Sequence, residues 1–159
     1  MKALGTYIFA GGFTLGVQKH FDVQAHFEMK PGLYKKTVKA NFPDLPIYEG
    51  EDEWPRKKYK GKIDFVYCNP PCAPWSNLGG AQKGAGAWRN DPRIKCWRDS
   101  FNLLKELEPQ AIAIESVPRV YSINGGPPMI TELSKEAIDL GYQVTHLLID
   151  GGFTGLNHS

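Results

Sequence analysis

The chain contains 159 residues, of which 42% are hydrophobic and 23% are charged, values typical of a single soluble globular domain. No apolar run reaches the length of a membrane span, and the first residues lack the cleavage-site pattern of a signal peptide. Its three cysteines argue against a secreted disulfide framework and favour a reducing cytoplasm. The net charge of +2 does not by itself exclude any class of binding partner.

Basic residues form two groups along the chain. One follows an acidic stretch, at residues 56–62, and a solvated surface explains it equally well. The other flanks the region of residues 68–90 and consists of Lys83, Arg89, Arg93, Lys95 and Arg98. Basic side chains close to a functional loop suit the phosphate backbone of a nucleic acid.

Apolar runs of strand length alternate with helical patterns, which predicts an α/β domain with a doubly wound, mostly parallel sheet. We expect about six strands, among them residues 7–9 (the end of the first), 23–27, 63–67, 111–114 and 144–149. Helices are predicted at residues 14–20, 33–41, 91–107 and 129–140, the last with Gly141 as its C-cap. In the third helix an apolar face is formed by Trp97, Phe101, Leu104 and Leu107. Asn69-Pro70-Pro71 end the strand at residues 63–67, and residues 68–90 form a loop long enough to suggest a function.

Three segments that can carry chemistry follow predicted strands, at residues 9–13, 69–72 and 115–118. In a parallel sheet the carboxyl ends of the strands share one edge, where open α/β sheets bind ligands. The first segment is a Gly-rich turn before a helix, which can bring backbone N–H groups close to a ligand. Glu28, at the end of the second strand, can accept hydrogen bonds from a ribose. A tight turn and a surface carboxylate are the alternatives.

Two prolines set the position of Cys72, which is a candidate nucleophile if its thiolate is favoured and accessible. A structural free cysteine is the alternative. We expect no metal site, because Cys68 and Cys72 have the wrong spacing for common zinc sites. Glu115 directly follows an apolar strand, so we expect a partly desolvated carboxyl with a raised pKa, which suits proton donation. A helix cap or a surface ion pair is the alternative.

Residues 69–76 (NPPCAPWS) resemble the Pro-Cys motif that carries the nucleophile of DNA (cytosine-5)-methyltransferases. Residues 111–118 (AIAIESVP) resemble the Glu-Asn-Val motif of that family, and residues 9–16 (FAGGFTLG) resemble its first cofactor motif. The motifs occur in the family's order, and Asp91-Pro92-Arg93 before a helix also fits. The resemblance covers nearly the whole chain.

The resemblance implies a Rossmann-like fold that uses S-adenosylmethionine, and methylation of cytosine C5 in DNA by a restriction-modification enzyme of a bacterial or viral host cytoplasm. It implies that a flipped-out cytosine is attacked at C6 by Cys72, while Glu115 hydrogen-bonds or protonates N3. The resemblance implies that Glu28 binds the ribose of the cofactor and that Met29 and Asp52 contact the adenine. The full set of implied cofactor residues is Phe9, Ala10, Gly11, Gly12, Phe13, Glu28, Met29, Asp52, Asn69 and Pro70. Those implied for DNA are Ser76 and Arg93.

Some positions depart from the family pattern. The first motif is two residues shorter than usual, Ala73 replaces the common Gln, and Ser116 replaces Asn. We find no later Arg-containing motif, target-recognition region or terminal helix, so residues 1–159 are expected to form one catalytic domain that is incomplete at its C-terminus. The alternatives are a split enzyme with a second polypeptide, a binding module without independent activity, and an exocyclic amino methyltransferase, whose motif has an aromatic residue at the position of Cys72.

Overall fold

A computed structural model describes residues 1–29, 34–75, 87–121 and 129–154. Its centre is a five-stranded sheet in the order β3-β2-β1-β4-β5, in which every neighbouring pair is parallel. The strands are β1 (Lys2–Thr6), β2 (Asp22–Glu28), β3 (Ile47–Glu49), β4 (Phe65–Cys68) and β5 (Ala111–Ile114). The predicted α/β class and parallel sheet are confirmed.

Five α-helices lie in the described part of the chain: α1 (Gly12–Val17), α2 (Lys35–Asn41), α3 (Arg56–Tyr59), α4 (Ile94–Leu107) and α5 (Met129–Asp139). Short 3₁₀ turns occur at Glu51–Glu53, Ala87–Asn90, Pro118–Tyr121 and Gly151–Thr154. Gly141 follows α5 with a φ of 91°, as expected for a glycine C-cap. Among these residues, no helix is both long and apolar enough to cross a membrane.

Side chains of the central strands alternate between two apolar layers, as the pleat of a strand requires. Leu4 and Val66 pack with α3 and α4 on one face of the sheet, whereas Ala3 and Tyr67 pack with α1 and α2 on the other. A further cluster joins α4, α5 and the apolar residues of β5. Helices therefore cover both faces, which confirms the doubly wound arrangement.

Three details of the strand prediction were wrong. Residues 144–149 form no strand, and Leu147, Leu148 and Ile149 are 71–76% exposed, because no strand in the described residues pairs with them. The first strand ends at Thr6 rather than at residues 7–9, since Tyr7 and Phe9 adopt positive φ angles and turn the chain. The sequence also failed to reveal β3, whose three residues are too few to show an alternating pattern.

Candidate active site

The carboxyl ends of β1, β4 and β5 lie side by side. The Asn69 N–H donates to the Thr6 carbonyl at 3.0 Å, and the Glu115 N–H donates to the Cys68 carbonyl at 2.9 Å. These bonds continue the sheet by one residue on each strand, so the segments after β1, β4 and β5 emerge at one edge. The predicted convergence of the Gly-rich, Pro-Cys and Glu-Ser-Val segments follows from this geometry.

Two polar side chains at this edge meet directly. The Asn69 side-chain amide donates a hydrogen bond to a carboxylate oxygen of Glu115. Glu115 itself is exposed, so the expected desolvation of its carboxyl was wrong: β5 is the last strand of the sheet, and its end lies at the surface. Asn69 thus orients a carboxylate that solvent can reach.

The three cysteines differ in accessibility. Cys68 and Cys96 are buried, whereas Cys72 is half-buried. Burial raises the pKa of Cys68 to about 12 and the pKa of Cys96 to about 11, so both remain thiols at neutral pH. Among the cysteines, Cys72 is therefore the one that is partly exposed, as a reactive cysteine must be.

Helix α4 holds the loop that carries Cys72. The Trp97 indole N–H donates to the Pro71 carbonyl at 3.1 Å, and its ring lies 4.7 Å from the ring of Trp75, centre to centre. The Trp75 N–H in turn donates to the Cys72 carbonyl at 3.0 Å. The sequence predicted that Trp97 lies on the apolar face of its helix. It did not predict the hydrogen bond to Pro71, because an apolar position in a helix does not indicate a polar partner on a distant loop.

Arg93 lies at the start of α4 and is bound by Asp91. Its backbone N–H, Nε and Nη2 donate to the two carboxylate oxygens of Asp91 at 3.0, 2.8 and 2.6 Å. These hydrogen bonds raise the pKa of Arg93, and the charge of Asp91 adds to that effect. Ser76 lies outside the described residues.

The Gly-rich turn after β1 is compact. Gly11 has a φ of 93°, and a Cβ atom there would lie 2.6 Å from the Phe42 ring. Both the conformation and the space require glycine at this position. A Cβ atom at Gly12, in contrast, would have no atom within 4 Å, so the turn exposes backbone on this side.

Glu28 is tied to the same turn. Its Oε1 accepts a hydrogen bond from the Ile8 N–H at 2.7 Å, and its backbone carbonyl accepts one from the Trp54 indole at 3.2 Å. Burial raises the pKa of Glu28 to about 8. The sequence predicted the position of this carboxyl at the end of β2 but not its bond to the turn.

A small cleft, with a cavity volume of about 20 Å³, adjoins Glu28 and extends between the end of β2 and α2. Of the residues predicted for the cofactor, Phe9, Glu28 and Met29 line it. Its other lining residues are Tyr7, Tyr34, Lys35, Val38, Ile47 and Glu49. The remaining predicted cofactor residues lie outside this cleft: Asp52 is exposed in a 3₁₀ turn, and Phe13 packs its ring 5.1 Å from Tyr67.

A buried polar triad beneath the Gly-rich turn was not predicted. The Thr14 hydroxyl lies 3.0 Å from His26 Nε2 and 2.8 Å from the Tyr67 hydroxyl, and the last two atoms are 3.1 Å apart. Burial lowers the pKa of His26 to about 3, so the imidazole is neutral. The triad joins α1, β2 and β4 below the turn, and nothing in the spacing of its members indicated it.

A family model described as C-5 cytosine-specific DNA methylase matches residues 4–159. The Type II methyltransferase M1.HphI of Haemophilus parahaemolyticus is 30% identical over 142 residues, which are 85% of this chain and 37% of that protein. The Type II methyltransferase M.FnuDI of Fusobacterium nucleatum is 29% identical over 149 residues, 91% of this chain and 40% of that protein. The chain spans about two-fifths of the length of these relatives.

Among solved structures, the complex of the Haloferax volcanii Trm112 methyltransferase activator with a methyltransferase is similar at a TM-score of 0.47 and 11% identity. The match covers 91% of this chain and 62% of that one. This likeness is too distant to bear on function, so the functional assignment depends on the family match and on the geometry of the site.

Proposed function

Because this chain belongs to the C-5 cytosine-specific DNA methylase family, we propose that it transfers a methyl group from S-adenosylmethionine to C5 of cytosine in DNA through a covalent Cys72 adduct. The observation that supports this proposal is the accessibility of Cys72: the residue is half-buried on the loop after β4, and that loop begins at Asn69, whose side chain binds Glu115. The family match favours this reaction over exocyclic amino methylation.

The residues at the turn suit the cofactor. Open space over Gly12 leaves room for a ligand against the backbone, and the adjoining cleft offers an aromatic ring, a thioether and a carboxyl from Phe9, Met29 and Glu28. When bound, S-adenosylmethionine supplies an electrophilic methyl group. We assign its binding to Phe9, Ala10, Gly11, Gly12, Phe13, Glu28, Met29, Asp52, Asn69 and Pro70.

The chemistry of the chain's own residues follows from their placement. The Cys72 thiolate adds to C6 of the flipped cytosine, and the electron pair of the C5–C6 double bond becomes available at C5. Glu115, oriented by Asn69, donates a hydrogen bond or a proton to N3, which limits the charge on the ring. After C5 has accepted the methyl group, a water molecule takes the C5 proton, and the electron pair of that C–H bond restores the C5–C6 double bond. The C6–sulfur bond breaks with its electrons on the thiolate, and a proton donated to N3 returns to Glu115.

Arg93 and Ser76 are assigned to DNA. In the free chain Asp91 occupies the Arg93 guanidinium, so a DNA phosphate beside the flipped base must compete with a carboxylate for the same donors. Charge-assisted bonds of this kind are individually strong and geometrically specific. Arg93 therefore joins the DNA backbone to the region of Cys72.

A second candidate is that the 159 residues act together with a second polypeptide. The chain matches 37–40% of the length of the two relatives, so the other parts of such an enzyme come either from further sequence or from a partner. In this version the present chain supplies the nucleophile and the cofactor site, and the partner supplies the remaining parts of the enzyme. We place either form in the cytoplasm of a bacterial or virus-infected cell, in a restriction-modification system.

Trapping on modified DNA tests the reaction. The protein is mixed with S-adenosylmethionine and with duplex DNA in which 5-fluorocytosine replaces cytosine, and the denatured mixture is analysed by intact mass spectrometry. Fluorine cannot leave C5 as a proton does, so the Cys72–C6 bond should persist. The matched variants are Cys72→Ala and Cys96→Ala, each of which removes one thiol.

We expect an adduct with the natural sequence and with Cys96→Ala, and none with Cys72→Ala. An adduct that survives Cys72→Ala would refute the assignment of the nucleophile. Cofactor binding by calorimetry without any adduct would favour the two-polypeptide version, which predicts that an added partner restores the adduct. Loss of both cofactor binding and adduct would reject the proposed function for this chain.

A further inference from the structure

The two residues before Cys72 have no backbone hydrogen-bond donors. Pro70 and Pro71 lack N–H groups, so neither can donate a backbone hydrogen bond. The Pro71 carbonyl directly precedes Cys72, and its hydrogen-bond partner therefore controls where the next residue lies. That partner comes from another element of the fold.

Trp97 supplies the anchor. Its indole N–H donates to the Pro71 carbonyl at 3.1 Å, and the side chain is 1% exposed. Its ring packs against Trp75, whose backbone N–H holds the Cys72 carbonyl. The peptide units before and after Cys72 are thus both held by contacts that lead to Trp97.

The position of Trp97 is itself fixed by the sheet. One turn further along α4, the buried Ser100 hydroxyl lies 3.1 Å from the Thr6 hydroxyl at the end of β1. Thr6 also accepts the backbone bond that starts the loop at Asn69. Thr6 therefore contacts both Asn69, where the loop begins, and α4, the helix whose Trp97 binds Pro71.

We propose that Trp97 is a positioning residue for Cys72: its indole N–H holds the Pro71 carbonyl and so fixes where the following residue, Cys72, lies on the loop after β4. This inference rests on the proposed function for its catalytic consequence, but the clamp itself exists without substrate. An aromatic ring without the N–H would fill the space and leave a buried carbonyl unpaired, which is unfavourable.

The test measures alkylation of Cys72 by iodoacetamide in the full chain, without DNA or cofactor, by peptide mass spectrometry. Trp97→Phe removes the N–H and keeps an aromatic ring. Phe101→Leu is the matched control, because Phe101 is buried in the same cluster on the same helix. Replacing Trp97 with 3-benzothienylalanine, which has sulfur in place of the indole N–H, preserves the shape if Trp97→Phe folds poorly.

We expect Cys72 in both Trp97 variants to react about 2- to 10-fold faster than in the natural protein, the factor by which one lost hydrogen bond shifts an equilibrium. Phe101→Leu should leave the rate unchanged at the same folded fraction. Equal rates in the 3-benzothienylalanine variant and the natural protein would overturn the proposal, as would an equal increase in Phe101→Leu.

Adduct formation with 5-fluorocytosine DNA separates this inference from the proposed function. If the natural protein forms the adduct, Trp97→Phe should form it more slowly while the DNA concentration for half-maximal rate stays the same. A change in that concentration alone would contradict a role in positioning the thiol. If the natural protein forms neither the adduct nor a complex with the cofactor but the alkylation rates differ as expected, the clamp stands and the proposed function fails.

Discussion

Strand β4 and residues 144–149 have similar sequences, but β4 is a buried strand and residues 144–149 are exposed and form no strand. Both are short apolar segments with β-branched or aromatic side chains, yet Val66, Tyr67 and Cys68 of β4 are fully buried, whereas Leu147 and Leu148 are more than 70% exposed. β4 pairs with β1 on one side and β5 on the other. Residues 144–149 have no pairing strand within the described part of the chain.

The difference shows that strand propensity reports how well side chains suit a pleated, half-buried surface, and that a strand forms only where a neighbour supplies hydrogen bonds. Among the described residues β5 pairs with β4 alone, so the sheet ends there. Its apolar side chains are half-buried against α4 and α5. The buried centre should accordingly dominate stability, and the exposed segment should contribute little.

Leu4→Ala in β1 should give the largest effect. Leu4 is fully buried beside Val66 in the core under α3 and α4, so the truncation removes apolar contacts and leaves a cavity. We expect the free energy of unfolding to fall by about 2–5 kcal/mol, measured by urea denaturation. A loss below about 1 kcal/mol would mean that the centre of the sheet is not the main source of stability.

Much of this centre could be predicted from the sequence. The apolar runs at residues 23–27 and 111–114 and the stop at Asn69-Pro70-Pro71 located three strands, because a buried strand needs only a continuous apolar run and a breaker. Trp97, Phe101, Leu104 and Leu107 are buried as their helical spacing predicted. The pairing that separates β4 from residues 144–149 depends on distant parts of the chain, and no local pattern encodes it.

Two ionisable groups, His26 in the core and Glu28 at the end of β2, make the stability of the protein depend on pH. Burial lowers the pKa of His26 from 6.5 to about 3, so the unfolded chain binds a proton more readily and stability should decline as the pH falls from 6.5 towards 3. Burial raises the pKa of Glu28 from 4.5 to about 8, so the folded chain keeps its proton longer and stability should decline as the pH rises from 4.5 towards 8.

Glu28→Gln isolates one of these two contributions. The amide mimics the protonated carboxyl, so the variant should become progressively more stable than the natural protein between pH 4.5 and 8, by an amount on the order of 1 kcal/mol or more. Denaturation at several pH values gives the difference in unfolding free energy. A difference that stays constant over this range would show that Glu28 is ionised at neutral pH like an exposed carboxyl.

The sequence indicated at which strand ends the candidate residues lie, but it did not indicate the hydrogen bonds that connect them to the rest of the fold. Cys72, Glu115 and Glu28 lie at strand ends because parallel strands deliver their carboxyl ends to one edge, which a sequence can show. The bonds from Asn69 to Glu115 and from Trp97 to Pro71 join residues 46 and 26 positions apart. Such contacts depend on the packing of α4 and β5, so no motif or spacing indicates them.

Gly11→Ala should have a smaller effect than Leu4→Ala but a clear one. A side chain at a φ of 93° is strained, and its Cβ would displace the Phe42 ring, so we expect a loss of about 1–3 kcal/mol. Gly12→Ala is the control, because its Cβ would enter open space and should change stability by less than about 0.5 kcal/mol. Equal losses in the two variants would show that the turn is not built around Gly11.

Leu148→Ala should change the free energy of unfolding by no more than about 0.5 kcal/mol. It is the same substitution as Leu4→Ala in β1, but Leu148 is 76% exposed. The side chain has little buried apolar surface to lose, so the unfolded and folded states lose nearly the same hydration free energy. Urea denaturation at two protein concentrations gives the measurement. A loss close to that of Leu4→Ala would mean that Leu148 is covered in solution, and a loss that grows with protein concentration would identify a second copy of the chain as the cover.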